Sequence, residues 1–386
     1  MAVKADDWLG KYPIVAISGP RQSGKTTLAK LLRPEFRYVN LELEENRSFA
    51  ADDPHHFLQK YQGGVILDEV QNVPSLFPYL KHYTDERGRN GEYILTGSQH
   101  FLLLEKITQS LAGRVGLLQL LPLSLQELKQ ADLQPQSPES FILRGGYPRL
   151  YDQGMVPADF FPSYIGTYVE RDVRQIIKVN DLRLFRQFLT ACAGRVGQIV
   201  NFNSMGSVLG IDSKTLKSWL GILEASFIAY LLPPYHRNFD KRIVKSPKLY
   251  FYDTGLACSL LNITNEDQLN AHFAKGALFE NFVINELMKN ELNSGRPPAF
   301  YFWQDSNQKE IDLIIESGPV LKAVEIKAGK TFHPDFAKNL LAFQSTAAPT
   351  TVQSYVVFGG SESQKREKYI VLPWGDAVAG VTSHEV

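Results

Sequence analysis

The stretch that decides the fold is Gly19-Pro20-Arg21-Gln22-Ser23-Gly24-Lys25-Thr26, which matches the phosphate-loop template G-x-x-x-x-G-K-[ST]. The apolar run at 14–18 predicts a short buried strand before the loop, and residues 26–32 predict an amphipathic helix that ends near Pro34. A glycine loop between a strand and a helix directs backbone N–H groups and the helix N-terminus at an anion. The sequence therefore predicts a P-loop that binds a nucleoside triphosphate.

The motif also assigns roles to single residues. We expect Lys25 to reach the β- and γ-phosphates and Thr26 to hold Mg²⁺. The residues expected to surround the nucleotide are Gly19, Pro20, Arg21, Gln22, Ser23, Gly24, Lys25, Thr26 and Thr27.

Two further apolar runs end in polar residues, as strands of the same sheet would. Residues 64–69 end in Asp68 and Glu69, the form of a Walker B strand, and residues 93–99 contain Thr96 and Ser98. The carboxyl ends of parallel strands meet at one edge of an open α/β sheet. We expect Asp68 to organise the Mg²⁺ shell, Glu69 to activate the attacking water, and Ser98, or alternatively Thr96, to position that water.

Composition limits the class of protein. With 386 residues the chain is long enough for two to four domains, and its 41 basic and 41 acidic residues balance. Affinity for nucleic acid must therefore come from a local patch. No run approaches the roughly 18 apolar residues of a membrane span, and the N-terminus has no apolar signal region. The two cysteines, Cys192 and Cys258, suit buried positions in a reducing compartment. We expect a cytoplasmic protein with no membrane partner.

The pattern along the chain predicts four segments. Residues 1–129 alternate strands and helices, residues 130–181 form a helical lid or linker that starts at a proline-interrupted polar stretch, and residues 182–262 and 263–386 form two further domains. The third segment has three helices followed by two β-like runs, which is the order of a winged helix.

A helix-turn-helix is predicted within the third segment. Gly210 suits the tight turn, and Asp212 or Ser213 suits the cap of the second helix, from which Lys214 and Lys217 point outward. Basic residues dominate the segment between the two β-like runs, namely Arg237, Lys241, Arg242, Lys245 and Lys248. This local excess predicts contact with DNA phosphates. The alternative is a protein–protein module with a solvated basic hairpin.

The last segment has the element order of a restriction-endonuclease-like core. A helix carries Glu280, one strand carries Asp312, and the next strand carries Glu325 and Lys327 two residues apart, on the same face. Such carboxylates can bind Mg²⁺ while the lysine orients a water. The alternative is that Glu325 and Lys327 form an ordinary surface ion pair.

The whole chain resembles a widespread prokaryotic family of AAA-like ATPases, in which an AAA_14 domain is joined to a DUF4143 region. The matching motifs are SGPRQSGKTT (18–27), LDEVQ (67–71), LTGS (95–98), SLAGRV (110–115), LPLS (121–124), RGGYP (144–148), YVERDV (168–173) and VEIKAGK (324–330). The resemblance implies an α/β fold with a P-loop AAA+ core of a parallel sheet and flanking helices, a helical lid and winged helix, and a C-terminal PD-(D/E)XK nuclease-like α+β domain. It also implies ATP rather than GTP.

AAA-type ATPases usually need an arginine at the γ-phosphate, from the same or a neighbouring subunit. Arg114 is the first candidate, followed by Arg144 and Arg171, although each could instead belong to a structural ion pair. A role for Arg114 in a neighbouring subunit would require a homo-oligomer.

Taken together, these motifs predict a Mg²⁺-dependent ATPase with ATP as cofactor and DNA, branched or structured, as partner. Two alternatives remain open. One is an ATP-dependent structure-specific endonuclease that uses Glu280, Asp312, Glu325 and Lys327. The other is a signalling ATPase that switches with its nucleotide and binds a protein partner.

Overall fold

The computed structural model describes residues 1–98, 110–169, 182–235, 246–347 and 350–382. The chain divides into two compact units. The P-loop unit consists of Met1–Pro122, Ala225–Phe227 and Glu291–Pro297, and the second unit consists of Leu123–Glu224, Ile228–Asn290 and Pro298–Val386.

The P-loop unit alternates helices and strands. Its elements in chain order are α1 (Ala2–Leu9), β1 (Ile14–Ser18), α2 (Lys25–Leu32), β2 (Arg37–Asn40), α3 (Glu44–Asp52), α4 (Pro54–Gln59), β3 (Val65–Asp68), a 3₁₀ turn (Val70–Asn72), α5 (Leu76–Arg87), β4 (Tyr93–Gly97) and β5 (Val115–Gln119). The strands pair in the order β2-β3-β4-β1-β5, and every pair is parallel. The predicted α/β fold with a parallel sheet is therefore confirmed.

The central strand β1 shows why a strand of this parallel sheet is apolar along its whole length. Ile14 and Ala16 belong to the hydrophobic core on one side of the sheet, and Val15 and Ile17 belong to the core on the other side. Because helices cover both faces, each residue of the strand is buried. The P-loop follows β1 directly and so lies at the carboxyl edge of the sheet, where Asp68 and Gly97 end β3 and β4.

The second unit contains the remaining elements, except for the last residues of two helices, Ala225 and residues 291–293, which belong to the P-loop unit. In chain order these are α6 (Leu125–Gln130), α7 (Pro138–Arg144), α8 (Pro148–Asp152), α9 (Pro157–Tyr164) with a π-helical turn (Ile165–Val169), α10 (Leu182–Ala193), α11 (Phe202–Leu209), α12 (Ser213–Ala225), β6 (Ala229–Leu232), β7 (Lys248–Phe251), α13 (Thr254–Leu260), α14 (Glu266–Ala271), α15 (Lys275–Asn293), β8 (Phe300–Gln304), β9 (Glu310–Ser317), β10 (Val320–Lys327), a 3₁₀ turn (Pro334–Ala337), α16 (Lys338–Ala347), β11 (Thr351–Phe358), β12 (Gln364–Lys365), β13 (Ile370–Pro373), a 3₁₀ turn (Trp374–Asp376) and α17 (Ala377–Thr382).

Two helices joined by a short turn, α11 and α12, lie in this part of the chain. Gly210 ends α11 in the left-handed conformation with φ 68°, and the Asp212 carboxylate accepts hydrogen bonds from the backbone N–H groups of Lys214 and Thr215, both at 2.9 Å. Asp212 is therefore the cap of α12. The buried face of α12 includes Leu216, Trp219, Leu220 and Leu223. After α12, β6 and β7 pair antiparallel as a two-stranded sheet.

A six-stranded sheet forms the last part of the unit, with strand order β12-β13-β11-β10-β9-β8. The strands β8, β9 and β10 pair antiparallel, whereas β10, β11 and β13 pair parallel. The parallel step requires a crossover between β10 and β11, and α16 supplies it by packing Leu340 and Phe343 into the core of the sheet.

None of the helices in the described part of the chain has the length and hydropathy that a membrane crossing needs. The two cysteines are free and buried, and burial raises the thiol pKa of both Cys192 and Cys258.

Candidate functional site

The P-loop adopts a conformation that depends on its glycines. Gly19 has φ 150°, and a Cβ atom at this position would collide with the carbonyl oxygen of Leu120. Gly24 has φ 97° and immediately precedes α2, while Gln22 has φ 62°. These left-handed positions turn the chain so that the loop folds around the start of the helix.

The side chains of the loop are suited to an anion. The Lys25 ammonium donates to the carbonyl oxygens of Gly19 at 2.9 Å and Pro20 at 2.7 Å. The Ser23 hydroxyl is buried and has no hydrogen-bond partner among the residues that the structure describes. A buried hydroxyl without a partner is unfavourable, and phosphate oxygens can satisfy it and can replace the carbonyl contacts of Lys25. The loop therefore fits the phosphates of a nucleotide.

Asp68 is the centre of a group of hydroxyl donors. Its Oδ2 atom accepts hydrogen bonds from Thr26 Oγ1 at 2.9 Å and from Tyr38 OH at 2.6 Å, and its Oδ1 atom accepts one from Thr96. Burial, together with the hydrogen bond to Asp68, raises the pKa of Tyr38. The structure thus brings Thr26 and Asp68 together as the motif predicted, and this hydroxyl–carboxylate pair suits Mg²⁺, which takes few protein ligands besides phosphate oxygens.

Two neighbours hold Glu69, the predicted base. Glu69 has φ 55°, and its carboxylate accepts hydrogen bonds from Ser98 Oγ at 2.9 Å, from Ser98 N at 3.3 Å and from the Gln71 side-chain amide. Ser98 was predicted to position a water. In this structure the Ser98 hydroxyl donates to the Glu69 carboxylate and the Thr96 hydroxyl donates to Asp68, and the water-positioning role stays a prediction.

Arg114 lies at the amino ends of the sheet strands, opposite the carboxyl ends where the P-loop lies. It precedes β5, and β5 pairs in register with β1 from Ile14↔Val115 to Ser18↔Gln119, so Arg114 stands about 20 Å along the strands from Gly19, where the P-loop begins. Its guanidinium forms a two-pronged ion pair with Asp85 at 2.5 and 2.9 Å, which lowers the pKa of that carboxyl. Arg114 therefore cannot reach the γ-phosphate of its own chain, and only the role in a neighbouring subunit remains open to it.

The other two candidate arginines differ in what the structure describes. Arg144 donates to the carbonyl oxygen of Leu150 at 2.5 Å and stacks on the Tyr151 ring, which is a structural role in the second unit. Arg171 lies outside the described residues.

A second group of charged residues lies on β9 and β10. The Lys327 ammonium is 2.7 Å from Glu325 and 3.6 Å from Asp312, and the Asp312 carboxylate also accepts from the backbone N–H of Ile326 at 2.7 Å. Burial and the nearby Asp312 charge raise the pKa of Glu325 to about 8. Burial alone would lower the pKa of Lys327, but the charges of Asp312 and Glu325 raise it instead.

Glu280 has a different partner from the one predicted. The Lys248 ammonium lies 3.1 Å from Glu280 and 2.5 Å from Glu310, and Tyr250 donates a hydrogen bond to Glu280. Burial raises the pKa of Glu280 to about 7. Lys248 is only 2% exposed, and the charges of Glu280, Asp312 and Glu310 raise its pKa despite that burial.

The predicted metal shell of Glu280, Asp312 and Glu325 is therefore not the arrangement found. Each of these carboxylates lies within 4 Å of a lysine ammonium, Glu280 of Lys248 and the other two of Lys327. In the part of the chain that the structure describes, no group of three or more His, Cys, Asp and Glu side chains is arranged to hold a metal ion. The sequence signal for Lys248 is that it begins the apolar run of β7, because a charge buried with such a strand needs a partner.

The predicted DNA-binding residues are described only in part. Lys214 and Lys217 are exposed on α12, and the Lys217 ammonium lies 5.5 Å from the centre of the Phe202 ring. Arg237, Lys241, Arg242 and Lys245 lie outside the described residues. The sequence also counted Lys248 among the basic residues available to DNA. That prediction is wrong, because the Lys248 ammonium is buried against Glu280 and Glu310.

Family models match three parts of the chain. An AAA domain matches residues 11–129, a domain of unknown function (DUF8612) matches residues 135–267, and another domain of unknown function (DUF4143) matches residues 275–376. The first and third matches coincide with the domains named from the sequence. The second covers the predicted lid and helix-turn-helix as one unit, which the sequence motifs did not indicate.

Proteins of similar sequence occur in bacteria. An uncharacterized protein of Mycobacterium tuberculosis is 29% identical over 335 residues, which cover 86% of this chain and 74% of that protein. An uncharacterized protein of Haemophilus influenzae is 23% identical over 353 residues, which cover 81% of this chain and 82% of that protein. A Walker-type ATPase of Pyrococcus abyssi, a solved structure, is 16% identical with a TM-score of 0.40, covering 67% of this chain and 94% of its own. The AAA and DUF4143 matches confirm the recognised pair of domains: the chain joins an AAA_14 domain to a DUF4143 region, as its sequence motifs predicted.

Proposed function

We propose that this chain is a Mg²⁺-dependent ATPase that binds DNA through its second unit. The observation that carries the ATPase part is the hydrogen bond of 2.9 Å between Thr26 at the start of α2 and Asp68 at the end of β3. It joins the P-loop to the Walker B strand, next to Glu69 and Ser98. A phosphate loop, a hydroxyl–carboxylate pair for Mg²⁺ and a carboxylate base are the parts that ATP hydrolysis requires.

The residues of the site divide the work between them. Lys25 exchanges its carbonyl partners for phosphate oxygens, and Thr26 and Asp68 hold Mg²⁺, which when bound neutralises charge on the phosphates. Glu69 accepts a proton from the attacking water. Ser98 keeps the Glu69 carboxylate in place, so its contribution is to orientation rather than to proton transfer.

The DNA-binding part rests on the helix-turn-helix. Asp212 caps α12, and the buried Leu216 and Leu220 leave Lys214 and Lys217 exposed on the opposite face. Exposed lysines on the second helix of such a motif suit the phosphates beside a DNA groove. We further propose a winged-helix fold for this part and a nuclease-like fold for β8–β11 with α15 and α16, because the elements occur in that order.

The two alternatives receive different support. An endonuclease would need a metal at Glu280, Asp312 and Glu325, and these carboxylates are paired with Lys248 and Lys327. The signalling switch needs the same P-loop site and differs only in the partner. It is therefore the alternative that the experiment must separate from DNA binding.

The test is ATP hydrolysis by the whole protein with Mg²⁺, alone and with single-stranded, duplex and four-way-junction DNA. We expect hydrolysis that Glu69→Gln abolishes and that one DNA form stimulates. The Lys214→Glu/Lys217→Glu variant should retain basal hydrolysis and lose the stimulation. Hydrolysis that no DNA form changes would refute the DNA partner and favour the signalling switch, and no hydrolysis by any form would refute the ATPase.

A further inference from the structure

The Arg21–Glu42 ion pair spans the carboxyl edge of the P-loop sheet. Arg21 lies in the P-loop after β1, whereas Glu42 lies two residues beyond β2, and their side chains meet at 3.2 Å. In the sheet, β4 and β3 lie between β1 and β2, so the two elements are about 14 Å apart at the usual strand spacing. The pair therefore extends across the strand ends that carry Ser98 and Asp68.

Phosphoryl transfer needs a cation near the terminal phosphate in addition to the P-loop lysine and the metal. The Arg114 guanidinium lies at the opposite sheet edge and is paired with Asp85. Arg21 lies at the tip of the loop, within a turn closed by the hydrogen bond from Ser23 N to the Pro20 carbonyl oxygen at 3.3 Å. Its side chain starts on the same edge as Lys25 and Asp68.

We propose that Arg21 is the chain's own cation for the terminal phosphate of ATP, and that it exchanges Glu42 for that phosphate. The inference rests on the proposed ATPase function and adds a residue that distinguishes the triphosphate from the diphosphate. The Glu42 side chain is 42% exposed and the Arg21 side chain 15%, so Glu42 can return to water readily. Partly exposed ion pairs are weak, whereas a guanidinium binds phosphate through two parallel, charge-assisted hydrogen bonds.

The test is equilibrium binding of ADP and of the non-hydrolysable analogue AMP-PNP, each with Mg²⁺, measured by titration calorimetry on the whole protein. We expect Arg21→Ala to weaken AMP-PNP binding about tenfold or more while changing ADP binding by less than about twofold. Arg21→Lys should recover part of the loss. Glu42→Gln should tighten AMP-PNP binding by about twofold to fivefold, and this gain should vanish when Arg21 is also alanine.

A matched control is Arg47→Ala, which removes an arginine from another ion pair, with Glu44 on α3, and should change neither affinity. Circular dichroism melting of each variant establishes that it is folded. Equal weakening of ADP and AMP-PNP by Arg21→Ala would overturn the inference and leave the ATPase proposal intact. Wild-type protein that binds neither nucleotide would overturn both.

Discussion

Lys248→Met is the change that tests the buried charge network most directly. In the structure the Lys248 ammonium lies between Glu280 and Glu310, at 3.1 and 2.5 Å, and methionine keeps much of the side-chain volume while removing the charge. Removing one partner of a buried ion pair usually destabilises a protein by about 3–5 kcal/mol, because the other charge stays buried without compensation.

The magnitude here should depend on pH. Glu310 is partly exposed and can turn toward water, so Glu280 determines the loss. Because burial already raises the pKa of Glu280 to about 7, this carboxyl can take up a proton at pH 6 more readily than at pH 8. We expect a loss of about 2 kcal/mol at pH 6 and about 4 kcal/mol at pH 8. The Lys248→Met/Glu280→Gln double variant should recover at least half of the loss at pH 8.

The assay is urea-induced unfolding of the whole protein, with hydrogen exchange of the β9 and β10 amides to identify the transition of the second unit. Lys365→Met is a suitable control, because Lys365 is exposed on β12, the outer strand of the sheet that contains β9 and β10. A surface change of this kind should have little effect on stability. A Lys248→Met protein as stable as wild type at pH 8, or a double variant no more stable than the single one, would refute the reasoning.

Three further predictions concern single residues. The pKa of Glu325 is raised to about 8, so the folded state binds the proton of this carboxyl more tightly than the unfolded state does, and stability should fall as pH rises from 5 to 8. Glu325→Gln should flatten this pH dependence in urea unfolding. An unchanged slope would contradict the raised pKa of Glu325. Asp212→Ala removes the cap of α12 and should destabilise the second unit by about 1 kcal/mol in the same assay. Asp212→Asn can still cap the helix and should have a much smaller effect. Equal losses of stability in the two variants would argue against capping by Asp212. Gly145 has φ 71°, and a Cβ atom there would collide with the Asp253 carboxylate. Gly145→Ala should therefore lower the melting temperature by several degrees. The control is Gly276→Ala, which lies at an open helical position and should not lower the melting temperature.

Local patterns in the sequence determined the P-loop unit. The residues of the phosphate loop are contiguous, and the strand before it and the helix after it follow from hydrophobic periodicity alone. Asp68 and Ser98 could be placed at the same edge because parallel strands share one edge for their carboxyl ends. Helical periodicity likewise accounts for Leu216, Leu220 and Leu223 on the buried face of α12, since residues three and four apart lie on one side of a helix.

Contacts between distant positions were decided by the tertiary structure. Lys248 meets Glu280 and Glu310 across 32 and 62 residues of sequence, Tyr38 meets Asp68 across 30, and Arg21 meets Glu42 across 21. No periodicity relates such positions, because the order of strands within a sheet and the packing of a helix against it depend on the whole chain.

Arg114 and Lys248 illustrate the physical reason. As sequence, Arg114 is a cation beside a nucleotide fold and Lys248 is a cation beside a basic hairpin. The register of β5 against β1 carries Arg114 to the edge opposite the P-loop, and the packing of β7 against α15 buries Lys248 against Glu280. A charged side chain takes its role from the charges that surround it. The sequence alone determined which charges are present, and only the tertiary structure decided which of them meet.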